Sequence, residues 1–276
     1  MEKDELNIIY PILVIYKIRL EDSKSYQSLL QANGVKHFLV YDNSPANYPQ
    51  DTSKIPVEAQ YIRNTHNGGV SVAYNTGANI AKELGYQRVL LLDQDTYFPA
   101  DCWNQYLKHA TYPGITAPQI RTKADEPFSP VSISGLRPKG LKNPMANQEY
   151  RLTQYAVVNS GICIPTDLFL AIKGYNPKVR LDFADFDFQS RLKAQSNHFF
   201  LIDCTAIQDF SNDCKEVKQL QKRFALYLES ARYVYRPTWR NKISHHLTIL
   251  SHTISLTLRT KSTSFVRSYL KHFLFL

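Results

Sequence analysis

The chain has 276 residues, of which 43% are hydrophobic, 12% aromatic and 21% charged. That composition supports one large folded domain, or a domain with an appendage, and excludes an intrinsically disordered chain. The net charge of +9 is uneven: residues 215–276 hold twelve Lys or Arg against two acids, Glu216 and Glu229, while the preceding part is close to neutral. A tail of this kind suits an anionic membrane surface or nucleic acid. The four cysteines, Cys102, Cys163, Cys204 and Cys214, show no C-x-x-C pairing. That spacing argues against a zinc site or a redox dithiol, and a reducing cytosol fits best. The first residues, Met-Glu-Lys-Asp-Glu-Leu, lack the apolar core of a signal peptide.

Strand and helix signals alternate through the first hundred residues. An apolar, β-branched run at 8–16 predicts a strand, helical spacing follows at 23–31, and 37–41 predicts a second strand ending in the turn signal Asp42-Asn43-Ser44-Pro45. A short strand at 59–63 precedes the turn Asn67-Gly68-Gly69. Residues 71–84 predict a helix with a small-residue face, closed by Gly85, and 88–92 predict the next strand. This alternation implies a parallel sheet with crossover helices. Residues 113–150 are rich in Pro, Lys and Asn and predict long loops with short strands. Another strand is expected over 154–164, helices over 166–172 and 185–195, and a last strand over 199–203. In the tail, 217–235 predicts a helix that Pro237 breaks. Ile243, Leu247, Leu250, Ile254 and Leu258 then form an apolar stripe, continued by Phe265, Val266, Tyr269, Leu270 and Phe273. Basic residues beside such a stripe predict a helix lying on a membrane; the plainer expectation is a helix packed on the body with its charges solvated.

The predicted strand at 88–92 runs straight into Asp93-Gln94-Asp95. In open α/β sheets, ligands sit beyond the carboxyl ends of the strands. Two close carboxylates there repel each other, and a hard divalent cation with open positions for phosphates relieves that repulsion. An Asp-x-Asp triplet also serves as an ordinary turn or cap after a strand, and a second one occurs at Asp185-Phe186-Asp187.

The run Asn67-Gly68-Gly69-Val-Ser-Val-Ala-Tyr-Asn75-Thr-Gly77 followed by Leu-Leu-Leu-Asp93-Gln-Asp95 resembles the inverting family 2 glycosyltransferases, and among them the rhamnosyltransferase group. Val40-Tyr-Asp42-Asn43-Ser44, Asn159-Ser160-Gly161 and Leu181-Asp-Phe-Ala-Asp185-Phe-Asp187-Phe-Gln-Ser-Arg191 resemble further blocks of that family in the same order. The resemblance runs from about residue 8 to about residue 240.

It implies a GT-A fold: an α/β domain over 1–214, with a mostly parallel Rossmann-like sheet flanked by helices, and a basic amphipathic helical tail over 215–276. It implies Mg²⁺ or Mn²⁺ held by Asp95, with Asp93 near the metal or the ribose. Asp42, Asn67, Gly68, Gly69, Asn75, Asp93 and Arg191 would meet the donor nucleotide. Asn159, Ser160, Gly161 and Asp187 would lie on the acceptor side, and Asp185, preferred over Asp187, would be the catalytic base. The donor would be a dTDP-, UDP- or GDP-linked sugar, rhamnose or another hexose. The acceptor would be a cell-surface or lipid-linked glycan, the tail would touch the inner face of the cell membrane, and no nucleic acid is expected. Two positions depart from the family. The first strand ends Tyr16-Lys17 in place of an aromatic-Asn pair, and Ile207-Gln208-Asp209-Phe210 stands where many members carry a His, so that Asp209 is a candidate substitute ligand. A sugar nucleotidyltransferase and a nucleic-acid-binding protein remain the competing expectations, although the body is not basic.

Overall fold

The computed structural model describes residues 7–32, 34–134, 138–209 and 216–273. In chain order the first half contains β1 (Ile9–Ile15), α1 (Lys24–Gln31), β2 (Leu39–Asp42), β3 (Gln60–Arg63), α2 (Gly69–Glu83), β4 (Arg88–Asp93), β5 (Thr96–Tyr97), α3 (Cys102–Lys108) and β6 (Ile115–Thr122). Short strands follow at β7 (Pro127–Ser129), β8 (Val131–Ser132), β9 (Lys139–Gly140), β10 (Gln148–Arg151) and β11 (Tyr155–Ala156). The chain continues through β12 (Cys163–Pro165), α4 (Thr166–Ala171), α5 (Ala184–Leu192), β13 (His198–Gln208), α6 (Val217–Tyr233), α7 (Trp239–Thr260) and α8 (Ser264–Phe273).

The main sheet has the order β10-β13-β6-β12-β4-β1-β2-β3. Strands β4, β1, β2 and β3 are mutually parallel, and β13 runs parallel to β6. Strand β12 is antiparallel to both β4 and β6 and joins the two parallel groups. Every residue of β1 and all of β4 except Asp93 are buried, as strands covered on both faces require. Helix α2 lies on this sheet at contact distance: a Cβ on Gly77 would stand 2.6 Å from the Ile12 side chain, so only glycine fits that approach. Arg88 supports the start of β4 from inside the core, its guanidinium donating to the carbonyls of Ala110, Tyr112, Gly114 and Cys163.

Several expectations change. The stretch 113–150, expected as long loops with short strands, also holds the eight-residue β6, whose first four residues are buried at the centre of the sheet. Pro118 and the polar ends of that strand hide its pattern. The expected strand over 154–164 is two short strands, and Asn159-Ser160-Gly161 forms the turn between them. Strand β13 runs on to Gln208, well past the expected end at residue 203. Cys102 on α3 and Cys204 on β13 form a disulfide, which differs from the expected reducing setting, since disulfides persist in oxidising surroundings. With a sequence separation of 102, the pair carries no spacing signal that sequence reasoning could use.

Helices α6, α7 and α8 enclose a small core of Phe224, Tyr227, Leu228, Ala231, Ile249, Leu256 and Phe265, against which Phe183 of the body packs. The α7 part of the expected stripe, Ile243, Leu247, Leu250, Ile254 and Leu258, faces outward, and a different set of α7 residues, Ile249, Thr253 and Leu256, packs inward; of the expected continuation on α8, Phe265 is buried in this core and Tyr269 packs against it. Among the described residues no helix is long and apolar enough to cross a membrane.

Cys102→Ser with Cys204→Ser should lower unfolding free energy by about 2–5 kcal/mol, as expected for opening a long covalent loop. Urea titration of the oxidised protein and the double variant measures this, and alkylation without reductant should leave both cysteines unlabelled.

Candidate active site

The Asp93-Gln94-Asp95 turn leaves β4 at the carboxyl end of the parallel strands. Helix α1 holds its backbone from one side. The Lys24 amide and the Ser23 hydroxyl donate to the Gln94 carbonyl, at 2.9 and 2.8 Å, and the Ser25 hydroxyl bridges the carbonyls of Asp93 and Thr96. The Gln94 side chain reaches the other way and accepts the Tyr16 amide at 2.7 Å.

On the other side a ring of hydrogen bonds runs from one aspartate to the next. The Asp93 amide donates to Ser160 Oγ at 3.2 Å, and that hydroxyl donates to Thr96 Oγ1 at 2.9 Å. Thr96 donates to Gln208 Oε1, and Gln208 Nε2 donates to Asp95 Oδ1 at 2.5 Å. Ser160, Thr96 and Gln208 are all buried. Gln208, in the stretch where many family members carry a histidine, is the residue that meets Asp95. Asp209 stands beside it, its amide on the Asp95 carbonyl at 2.9 Å and its carboxylate paired with Lys123 at 2.5 Å. Phe210 lies outside the described residues.

Asp93 is held by Tyr74 of α2, whose hydroxyl donates to Oδ1 at 2.6 Å. The Tyr74 ring packs on Tyr175 at 5.4 Å, and the Tyr175 hydroxyl donates to Asn159 Oδ1 at 2.7 Å. The structure therefore brings Asn159 and Ser160 to the Asp-x-Asp turn. Gly161 follows at φ 85°, where a Cβ would come within 2.8 Å of Pro118, so the turn needs glycine.

Helix α5 starts from Phe183 in a left-handed conformation and carries Asp185 in its first turn. The Asp185 carboxylate accepts the Phe186 amide at 2.9 Å, and its charge reaches Asp93 and Tyr175. Asp187, two positions on, points about 200° away around the helix. It is buried, accepts Arg191 Nε at 3.0 Å, and accepts the Tyr235 amide at 2.7 Å. Arg191 also donates to the Ile172 carbonyl. The expected acceptor-side place of Asp187 and the expected donor contact of Arg191 thus fall on the opposite face of α5, where the two form an ion pair with each other. Asp182 faces Arg223 of α6 at 3.7 Å.

The remaining predicted residues form the frame of the cleft. Asp42 is fully buried, and its two oxygens accept the Ser44 amide and the Tyr61 hydroxyl at 2.8 and 2.7 Å. Its carboxylate shapes the end of β2, with one hydrogen bond already on each oxygen. Asn75 is spent in the same way, clamping the backbone amide and carbonyl of Tyr175 at 2.7 and 2.8 Å. Asn67, Gly68 and Gly69 form the turn into α2, with Asn67 at φ 50° and Gly69 at φ 78°. The Val70 amide donates to the Arg180 carbonyl at 3.0 Å, and the Arg180 guanidinium binds the Asn67 carbonyl. A Cβ on Gly69 would lie 2.2 Å from that Arg180 carbonyl. Sequence reasoning missed Ser25, Tyr74, Thr96, Tyr175 and Gln208, because neutral residues carry no motif of their own.

Burial dominates the electrostatics. It raises the Asp95 carboxyl to about 7, with repulsion from Asp93 adding to it and the Gln208 hydrogen bond opposing it. It raises Asp185 to about 6 against the opposing Phe186 amide. Asp93 is raised too, first by burial and further by Asp185, with Tyr74 opposing. Among the described residues none of these three acids forms an ion pair, and no three metal-ligating side chains cluster closely enough to bind a cation alone. Desolvated carboxylates without a cation of the chain's own fit a Mg²⁺ or Mn²⁺ that takes one or two protein oxygens and completes its shell with substrate phosphates.

The sequence model described as "Glycosyl transferase family 2" matches residues 24–163, just over half of the chain, and the chain belongs to that family. Its GT-A fold is also that of solved structures. It is similar to GalNAc-T7, solved with UDP, GalNAc and Mn²⁺, at TM-score 0.57 and 12% identity, covering 81% of this chain and 48% of that one. It is similar to residues 1–349 of S. aureus TarS, solved with UDP, at TM-score 0.52 and 14% identity, covering 86% of this chain and 69% of that one. The chain thus spans about half the length of the GalNAc-T7 chain it matches. No curated protein matches it.

Asp95→Asn should separate stability from cation binding. The fold favours the protonated carboxyl, so that preference is complete below about pH 4 and lost as pH rises through about 7. At pH 8 the metal-free variant should therefore melt higher than the parent, by about 2–4 °C, while the stabilisation that Mn²⁺ with a nucleoside diphosphate gives the parent should vanish. Thermal melts with and without these ligands measure both.

Proposed function

We propose that the chain transfers a hexose, with rhamnose as one candidate, from a nucleotide diphosphate to an acceptor hydroxyl with inversion at the anomeric carbon. The observation that carries this reading is Asp185, half-buried with its carboxyl raised to about 6 and its charge felt by Asp93 across the cleft. A carboxylate with that value is unprotonated at neutral pH and basic enough to accept a proton from a hydroxyl becoming acidic. Asp185 takes that proton as the acceptor oxygen bonds the anomeric carbon. The bond from that carbon to the diphosphate breaks, and its electron pair leaves with the phosphate oxygen. A divalent cation on Asp95, with Asp93 beside it, would supply the positive charge that stabilises the departing diphosphate. Tyr74 and Gln208 orient these two carboxylates, and the Asn67–Gly69 turn keeps side chains away from the donor side of the cleft. Ser160 and Asn159 act through Thr96 and Tyr175, as parts of the frame.

GalNAc-T7 and TarS are both solved with UDP, which makes UDP-sugars the first donors to test, beside dTDP-rhamnose and GDP-mannose. The acceptor on this reading is a glycan on a lipid carrier or a growing cell-surface polysaccharide, reached by an enzyme peripheral on a membrane. Membership of the sugar-transferring family favours this reading over a nucleotidyltransferase.

Asp185→Asn should lower turnover by about 10²–10⁴-fold and leave donor affinity unchanged. Donor titration by calorimetry and donor consumption with the best nucleotide sugar give the two numbers. A base must be unprotonated, so kcat/KM of the parent should fall with decreasing pH below about 6. Normal turnover by the variant would remove Asp185 from the mechanism.

A further inference from the structure

We propose that the outer face of α7 is a docking surface for an anionic lipid bilayer, with the helix lying flat on it. Trp239, Ile243, Leu247, Leu250, Ile254 and Leu258 recur every three or four residues, so they line one side of the helix. All six are exposed, from 39% at Leu250 to 73% at Leu258. At about 1.5 Å per residue the helix presents this stripe over roughly 29 Å. Another side is already used, with Ile249, Thr253 and Leu256 buried against the rest of the tail. A continuous exposed apolar face of this length implies a partner.

Charge selects the partner. Residues 234–276 contain no Asp or Glu and seven Lys or Arg. Arg240 and Lys261 fall on the stripe side at 3.6 residues per turn, one at each end, and both are exposed. The Arg240 guanidinium lies 5.4 Å from the centre of the Trp239 ring, which pairs a membrane-interface aromatic with a phosphate-binding cation. A second copy of this chain would set one acid-free basic face against another, whereas anionic lipid headgroups meet both the apolar stripe and its cations. The stripe is aliphatic apart from Trp239, unlike the aromatic platforms on which bases stack.

This surface lies directly behind the candidate base. His245, on the inner side of α7, packs on Phe183 with ring centres 4.9 Å apart, and Phe183 begins α5. About one helix diameter, roughly 10 Å, therefore separates the stripe from the helix that carries Asp185. The inference deepens the proposed lipid-borne acceptor by naming the contact face, but vesicle binding can be scored without any transferase activity.

The test is co-sedimentation of the full chain with vesicles of phosphatidylcholine alone and of phosphatidylcholine mixed with phosphatidylglycerol. The parent should pellet with the mixed vesicles, weakly with the neutral ones, and less at high salt. Trp239 emission should shift to the blue on the mixed vesicles. Leu247→Glu with Ile254→Glu should weaken binding by at least about tenfold, and its thermal melt and donor hydrolysis in solution should match the parent. Failure of the parent to bind mixed vesicles overturns the proposal, as does unchanged binding by the folded double variant. A dimer in sedimentation equilibrium that this variant abolishes would assign the face to a second copy and overturn it as well. Donor hydrolysis without vesicles reports on the transferase reading alone, so the two can fail separately.

Discussion

The closed set of hydrogen bonds from the Asp93 amide through Ser160, Thr96 and Gln208 to the Asp95 carboxylate is the constraint on which the site depends. It ties four separate chain segments, the ends of β4 and β13, the start of β5 and the turn before β12, to one point at the edge of the sheet. Each hydroxyl donates in one direction around it, so every member has its partner and none can rotate alone. All of the donors that meet the two carboxylates are neutral. Neutral donors orient a carboxylate but cancel little of its charge, and burial therefore raises the Asp95 carboxyl to about 7. An arginine or lysine in place of Gln208 would have lowered that value, and it would also have occupied the place a cation needs. The site keeps a charge deficit that a substrate-borne cation can fill.

Helix α5 shows how one short element serves two neighbourhoods. Asp185 and Asp187 differ by two positions, which on a helix turns one toward the cleft and the other toward the tail. Asp187 binds Arg191, one turn later on the same face, and caps the Tyr235 amide in the segment joining α6 to α7. The unusual start of α5, with Phe183 left-handed, places that ring between the body and the tail, against Tyr227 and His245. A carboxylate raised by burial and one held by an arginine thus stand within a single turn, with opposite duties.

The β-α-β half of the fold was legible because its elements carry strong local patterns: β1 and β4 are unbroken apolar runs, and α2 follows a glycine turn. The second half was less so. Strand β6 is central yet contains Pro118, and the Cys102–Cys204 bond joins residues that no spacing rule connects. In the candidate site, Asp93, Asp95 and Asp185 stand out in the sequence, since carboxylates in short motifs attract notice. Tyr74, Tyr175, Thr96 and Gln208 were not, because a tyrosine or glutamine becomes a site residue only through the partner that folding brings to it. The same reason explains Asp42, Asn75 and Arg191, whose residue types suit ligand contact but whose polar groups make hydrogen bonds to neighbours in the fold.

The tail stripe combines both lessons. Its periodicity was visible in the sequence, but periodicity alone cannot say whether an apolar face is inside or outside. Here α7 is apolar on two sides, and the face packed inward is not the one with the longer repeat. A helix that has already buried one face in its own protein has no folding reason to keep a second stripe exposed, and leaving it in water carries a free-energy cost. Such a face persists when another surface covers it during function. The acid-free run of sequence around it narrows that surface to one of negative charge, and the Phe183–His245 contact places the helix bearing Asp185 immediately behind it.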